Sequence, residues 1–147
     1  MKKNILFIFG TRPEAIKLAP LIRLFKSDEN LNTFVCSTGQ HKEMLDQVLD
    51  FFSIIPNYNL KLMQQNQSLS SSVSILINEC DKLFRENEFD LVIIQGDTST
   101  VFSAALAAFN NKIKIAHIEA GLRTKDKFSP FPEEMNRLLV SRLADYH

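Results

Sequence analysis

Apolar and polar residues along the chain follow two alternating patterns. Short apolar runs at 4–9, 33–38, 90–95 and 112–118 are compatible with buried strands, and the loop at 56–62 contains a further short strand. Longer segments between these runs repeat apolar residues every three or four positions, as amphipathic helices do. This alternation predicts an α/β fold in which helices cover both faces of a parallel sheet.

Several helix boundaries are also visible in the sequence. Thr11 and Glu14 have the spacing of a capping box, and a proline followed by two glutamates at 132–134 is a favourable helix start. The expected helices span about 11–26, 44–52, 68–86 and 98–109, with a last helix beginning at 132–134.

All four glycines follow predicted strands. In open α/β sheets, ligands bind outside the carboxyl ends of the strands, where glycine permits sharp turns and close approach of the backbone. We therefore expect Gly10, Gly39, Gly96 and Gly121 to form the floor of one site. The charged residues expected around it are Arg12, Lys17, Asp97, Glu119 and Glu133.

The turn between the first strand and the first helix has two interpretations. Free N–H groups and the positive end of the helix dipole can bind an anion there, with Arg12 holding a diphosphate and Lys17 reaching the same side. Alternatively, Thr11 and Glu14 only cap the helix, and Arg12 lies in solvent. The sequence has neither a GxGxxG fingerprint nor a P-loop.

Carboxylates are the candidates for proton transfer. Asp97, taken alone, reads as a helix cap, but Glu119 follows the neighbouring predicted strand, so both carboxylates can face one crevice. Crowding in a partly dry site moves carboxyl pKa values apart, which provides one acid and one base. Glu133 and Glu134 also suit the helix dipole, and only one of them needs to point inward.

Other chemistries lack their required residues. His117 and Glu119 have the H-x-E spacing of zinc deaminases, but the P-C-x-x-C partner is missing, so no metal site is predicted. His117 is expected to be a hydrogen-bonded residue of the core or the site wall. Gln40 and His41 either form a polar loop or contact a ligand at the sheet edge.

The composition of the chain limits the classes of molecule that it is expected to bind. The 147 residues suit one domain, and 17 basic against 17 acidic residues leave no net charge, which argues against binding to nucleic acid. No segment approaches the length of a membrane span. Two distant cysteines without CxxC spacing are expected to be buried thiols in a reducing cytoplasm.

Five motifs occur in order along nearly the whole chain: GTRPEAIK at 10–17, TGQH at 38–41, GDT at 96–98, HIEAGLR at 117–123 and SPFPEEMNR at 129–137. With them the chain resembles the bacterial UDP-N-acetylglucosamine 2-epimerase family. The resemblance implies a Rossmann-like domain over residues 1–147, the first of two domains in a GT-B-type architecture. The second, UDP-binding domain has no counterpart in this sequence and would be supplied in cis or in trans.

The resemblance also implies an activity. Members interconvert UDP-N-acetylglucosamine and UDP-N-acetylmannosamine by anti elimination and re-addition of UDP, without metal or other cofactor, and supply precursors of cell-surface polysaccharides from the cytoplasm, here as an expected homodimer. By position, Asp97, Glu119 and Glu133 would be the catalytic acid and base residues. Arg12 and Lys17 would hold the diphosphate, Arg137 would orient Glu133 or meet the ligand, and Gln40 and His41 would line a regulatory site.

Three alternatives stay open at this point. The hydrolysing branch of the family releases N-acetylmannosamine and UDP by a similar elimination, and a glycosyltransferase can share the same architecture. A non-catalytic half that waits for a partner domain is the third, because the second domain is missing from the sequence.

Overall fold

The computed structural model describes residues 1–39, 42–60, 62 and 67–147, without the side chains of residues 42 and 43. Strands and helices alternate along the chain, as the sequence pattern predicts. The strands are β1 Lys3–Phe9, β2 Leu31–Ser37, β3 Tyr58–Asn59, β4 Leu91–Gln95 and β5 Lys114–Ile118. The helices are α1 Arg12–Lys26, α2 Lys42–Phe51, α3 Leu69–Glu86, α4 Ser99–Asn110 and α5 Glu133–Leu143.

The strands pair in parallel in the order β3-β2-β1-β4-β5. The chain builds outward from β1 to β3, then crosses to the other side of β1 and continues with β4 and β5. This reversal creates a crevice between the carboxyl ends of β1 and β4, where doubly wound sheets bind their ligands. The predicted doubly wound, Rossmann-like α/β fold is therefore confirmed.

The central strand β1 is buried on both faces. Its alternate residues Phe7 and Phe9 pack with α1 and α2 on one side, whereas Leu6 and Ile8 pack on the other side, with the cluster formed by α3, α4 and α5. Residues 5–9 of the strand lose almost all contact with water because helices cover both faces, which is why this part of the sequence is continuously apolar.

Helix α4 lies against the sheet because its side chains are small. Ala104, Ala105, Ala107 and Ala108 are fully buried. Thr98 caps this helix, since its hydroxyl accepts a hydrogen bond from the Val101 N–H at 3.3 Å. The cap residue Thr98 lies beside the crevice as a result.

Cys36 and Cys80 are free thiols in the core. Burial raises the pKa of the Cys80 thiol to about 12, and it raises that of Cys36 as well.

In the described ranges, no helix is both long enough and apolar enough to cross a membrane.

Candidate functional site

A cavity of about 540 Å³ lies at the carboxyl ends of β1, β4 and β5. Its walls come from the first turns of α1 and from the segments that follow β4 and β5. All four glycines were expected to form its floor, and this is wrong for three of them, because Gly96 is the one glycine among the described lining residues. The lining residues in the described part of the chain are Thr11, Arg12, Pro13, Glu14, Lys17, Met44, Gln95, Gly96, Asp97, Thr98, Glu119 and Leu122.

The cavity thus brings together four of the residues proposed from the sequence, Arg12, Lys17, Asp97 and Glu119. They lie up to 107 positions apart in the chain and meet because parallel strands end at one edge of the sheet. Their roles remain predictions, but their neighbours show what each side chain is free to do.

Glu14 occupies the anion position at the start of α1. Its carboxylate is buried and accepts hydrogen bonds from the N–H groups of Gly10 at 2.7 Å and Thr11 at 2.8 Å. Its other oxygen accepts from the Thr98 hydroxyl at 2.5 Å, which joins the start of α1 to the start of α4. Burial raises the pKa of Glu14, and the hydrogen bonds oppose that rise.

Of the two interpretations of this turn, helix capping therefore applies to the N–H groups of Gly10 and Thr11, because both donate to the Glu14 carboxylate. A diphosphate at Gly10 and Thr11 would have to displace the protein's own carboxylate. Arg12 differs, because its side chain is exposed at the cavity wall and makes no hydrogen bond or ion pair with the described residues.

Glu119 is held from two sides. The Lys17 ammonium lies 2.6 Å from Glu119 Oε2, and the side-chain amide of the buried Gln95 donates to the same oxygen. The backbone of Glu119 has a φ of 63°, in the left-handed region that favours glycine.

Asp97 is held by the last helix. Its carboxylate accepts a hydrogen bond from the Arg137 guanidinium, whose other arm lies 3.2 Å from Glu134 and 3.0 Å from the Leu122 carbonyl oxygen. Asn136 also donates to the Asp97 carbonyl oxygen at 2.9 Å. Asp97 is not the helix cap that its position alone suggests, since Thr98 has that role.

Arg137 was expected to orient Glu133 or to meet the ligand, and in the structure it binds two other carboxylates. Its side chain is 6% exposed and pairs with Asp97 and Glu134. Glu133 is half-buried at the start of α5 and does not line the cavity, so its catalytic role remains a prediction, as does contact of Arg137 with a ligand. Gln40 and His41 lie outside the described residues.

His117 is buried on β5, and its Nε2 lies 2.6 Å from the Gly96 carbonyl oxygen. A hydrogen-bonded residue of the core or the site wall was expected, and the structure confirms the hydrogen bond and places His117 in the core, since it is not among the described lining residues. Burial lowers the pKa of His117 and outweighs the opposing effect of this hydrogen bond. In the ranges that the structure describes, no three His, Cys, Asp or Glu side chains are grouped to hold a metal ion.

Three residues that support the site were missed by sequence reasoning. Glu14 was considered only as a cap, Gln95 was not singled out, and Glu133 was chosen over Glu134. A signal for Glu134 existed, since it precedes Arg137 by three positions and such pairs share a helix face. Gln95 had no comparable signal, because its partner Glu119 is 24 residues away.

The arrangement is suited to proton transfer on a ligand in the cavity. Asp97 and Glu119 are 27% and 35% exposed, so each carboxylate reaches the cavity. The ion pairs with Arg137 and Lys17 fix the orientation of the two carboxylates. Among the described lining residues, Arg12 is the cation that is not already paired.

Comparison with known proteins gives one consistent result. The sequence model described as UDP-N-acetylglucosamine 2-epimerase matches residues 23–147. The UDP-N-acetylglucosamine 2-epimerase of Salmonella borreze is 53% identical over 144 residues, which are 98% of this chain and 38% of the relative. The enzyme of that name from Bacillus subtilis is 47% identical, with 100% of this chain and 39% of the relative covered.

Solved structures agree. UDP-GlcNAc 2-epimerase from Neisseria meningitidis, bound to UDP-GlcNAc, superposes with a TM-score of 0.93 at 47% identity, covering 98% of this chain and 40% of that one. MurG from Acinetobacter baumannii shares the fold alone, with a TM-score of 0.72 at 12% identity, over 97% of this chain and 40% of its own. The chain therefore spans about two fifths of the length of these relatives, and corresponds to their N-terminal part.

Proposed function

Because the chain belongs to the UDP-N-acetylglucosamine 2-epimerase family, we propose that it forms the acid–base half of an enzyme that interconverts UDP-N-acetylglucosamine and UDP-N-acetylmannosamine. The observation that carries the proposal is the meeting of Asp97 and Glu119 in one cavity, each anchored by a cation. The N. meningitidis relative with UDP-GlcNAc bound supports the choice of substrate.

The reaction needs groups that move protons on both faces of a sugar. One carboxylate removes the C2 proton, the C1–O bond breaks with its electrons leaving on UDP, and a 2-acetamidoglucal remains. Return of a proton to the opposite face of C2 and re-addition of UDP at C1 give the epimer. Asp97, Glu119 and Glu133 are the proposed acids and bases, with the assignment of individual steps left to experiment.

The position of the leaving diphosphate depends on which cations and backbone N–H groups of the cavity are available to bind an anion. Glu14 fills the N–H groups at the start of α1, and Lys17 is paired with Glu119. Arg12, whose side chain has no partner among the described residues, is then the first proposed contact of the diphosphate, where preorganised positive charge stabilises the developing negative charge, and Lys17 is the second. The sugar lies deeper, beside the two carboxylates.

A second domain, in cis or in trans, supplies the remaining uridine and diphosphate contacts and a further catalytic histidine. We propose that the complete protein works in the cytoplasm as a homodimer, and that its product feeds cell-surface polysaccharide synthesis.

The test is proton NMR of UDP-N-acetylglucosamine in D₂O with two proteins. One is the 147-residue chain, and the other is a chimera that joins it to the remaining C-terminal part of the B. subtilis relative. Deuterium at C2 with UDP still attached is expected from the chimera. Free UDP and N-acetylmannosamine would instead indicate the hydrolysing branch, and no exchange by a folded chimera would overturn the proposal.

Two variants sharpen this test. Asp97→Asn in the chimera should abolish exchange. Lys3→Met is the control, since the Lys3–Asp90 pair is an exposed ion pair at the opposite end of the sheet. Exchange by the chimera but not by the folded chain alone would show that this domain requires its partner.

A further inference from the structure

The turn after β4, which carries Asp97, is hydrogen-bonded to strand β5 through Gly96. Both the N–H and the carbonyl oxygen of this glycine take part. The Gly96 N–H donates to the Ile118 carbonyl oxygen at 3.1 Å, and the Gly96 carbonyl oxygen lies 2.6 Å from His117 Nε2. Gly96 has a φ of 87°, a conformation that glycine adopts at little cost. A glycine is also the residue whose backbone rotates most easily, so these two bonds set the direction in which the next residue leaves.

The chemistry of this contact defines the state of the imidazole ring. A carbonyl oxygen only accepts hydrogen bonds, so Nε2 must carry a hydrogen. The other ring nitrogen, Nδ1, is buried and has no partner among the described residues. A second proton there would be an unpaired donor and would add positive charge near Arg123 and Arg137, so the ring is neutral with the hydrogen on Nε2.

We propose that His117 is a positioning residue for Asp97, acting through the Gly96 carbonyl as a neutral Nε2–H donor. Arg137 and Asn136 hold the carboxylate and the carbonyl oxygen of Asp97 from α5, and His117 holds the preceding peptide from β5. Asp97 is thereby fixed between two elements. The catalytic role of Asp97 in this inference rests on the proposed function, whereas the hydrogen bond between His117 and Gly96 does not.

The test compares His117→Leu, which removes the donor, with His117→Gln, whose amide nitrogen can replace Nε2. In the chimera, His117→Leu should lower kcat for C2 exchange by about 10- to 100-fold, because a small misplacement of a reacting group has an effect of that size. KM should change by less than about threefold, since substrate contacts remain. His117→Gln should recover most of kcat.

A second readout does not depend on activity. In the 147-residue chain, amide hydrogen exchange at Gly96 and Asp97 should accelerate by about tenfold or more in His117→Leu, with Val92 in β4 unchanged. Nitrogen-15 NMR of the wild-type chain should show a protonated Nε2 and an unprotonated Nδ1.

Ile115→Ala is the control for stability alone, since Ile115 is buried on the same strand and pairs with Val92, four residues before Gly96. It should lower the unfolding free energy without changing kcat of the folded protein. The proposal is overturned if His117→Leu keeps wild-type kcat and wild-type protection at Gly96, or if Leu and Gln variants lose kcat equally. A wild-type chimera without any exchange, but with the expected hydrogen-exchange pattern, would contradict the proposed function and leave the hydrogen bond established.

Discussion

The ammonium group of Lys17 lies 2.6 Å from the Glu119 carboxylate, which joins the second turn of α1 to the end of β5 across the cavity. The two residues are 102 positions apart. Lys17 was expected to hold a diphosphate, and in this structure its charge is already paired. Its side chain is 48% exposed and lines the cavity, so contact of Lys17 with a diphosphate remains a prediction.

The first prediction concerns this pair. Lys17→Met in the chimera should lower the rate of C2 exchange by about 10- to 100-fold, because Glu119 loses one of its two anchors. The unfolding free energy should change by less than about 1 kcal/mol, since both side chains are partly exposed and water screens their attraction. Urea unfolding and the D₂O assay measure the two effects. The control is Lys3→Met, which breaks an exposed ion pair of the same length. Its unfolding free energy should equal that of Lys17→Met, and its rate of C2 exchange should equal that of the unchanged chimera.

The second prediction concerns the backbone of Glu119. At a φ of 63°, alanine retains the strain of the left-handed region, whereas glycine does not. Glu119→Gly should therefore be more stable than Glu119→Ala by about 0.5 to 1 kcal/mol in urea unfolding, although both remove the same carboxylate. The neighbouring strand residue Ile118 provides the control, because there the alanine variant should be the more stable of the two. Equal stability of the two Glu119 variants would show that this backbone is not strained.

The third prediction concerns the buried charges behind Asp97. Arg137→Met should lower the unfolding free energy by about 3 kcal/mol, because Glu134 is buried and would lose its cationic partner. Adding Glu134→Gln should recover part of this loss. Arg85→Met, at an exposed arginine paired with Asp81, should cost less than about 0.5 kcal/mol. If the two arginine variants were equally stable, Arg137 would not be needed to balance Glu134.

The fourth prediction concerns pH. Burial lowers the pKa of His117 below the ordinary 6.5, so the unfolded chain binds a proton there that the folded chain does not. The stability contributed by the neutral ring is complete above about pH 6.5 and is lost as the pH falls below that value. The unfolding free energy of wild type relative to His117→Gln should accordingly decrease from pH 7 toward pH 5. A difference that increased on acidification would mean that the folded state holds the ring protonated.

Local patterns in the sequence were sufficient for the secondary structure and for the fold. Strand and helix periodicity and the helix caps each reflect interactions within a few residues, so they are readable in order along the chain. The meeting of Asp97 with Glu119 was also predictable, because both directly follow strands and parallel strands end at the same edge of the sheet. The five motifs added the family, which the comparisons confirm.

Tertiary structure alone decided the partners of these residues. Lys17 pairs with Glu119, Arg137 with Asp97, and Glu14 with Thr98, at separations of 102, 40 and 84 positions. Each depends on how far a helix rotates and slides on the sheet, which packing of the whole core determines. The choice between Glu133 and Glu134 has the same origin, because neighbouring positions on a helix point about 100° apart and only packing selects the one that faces inward.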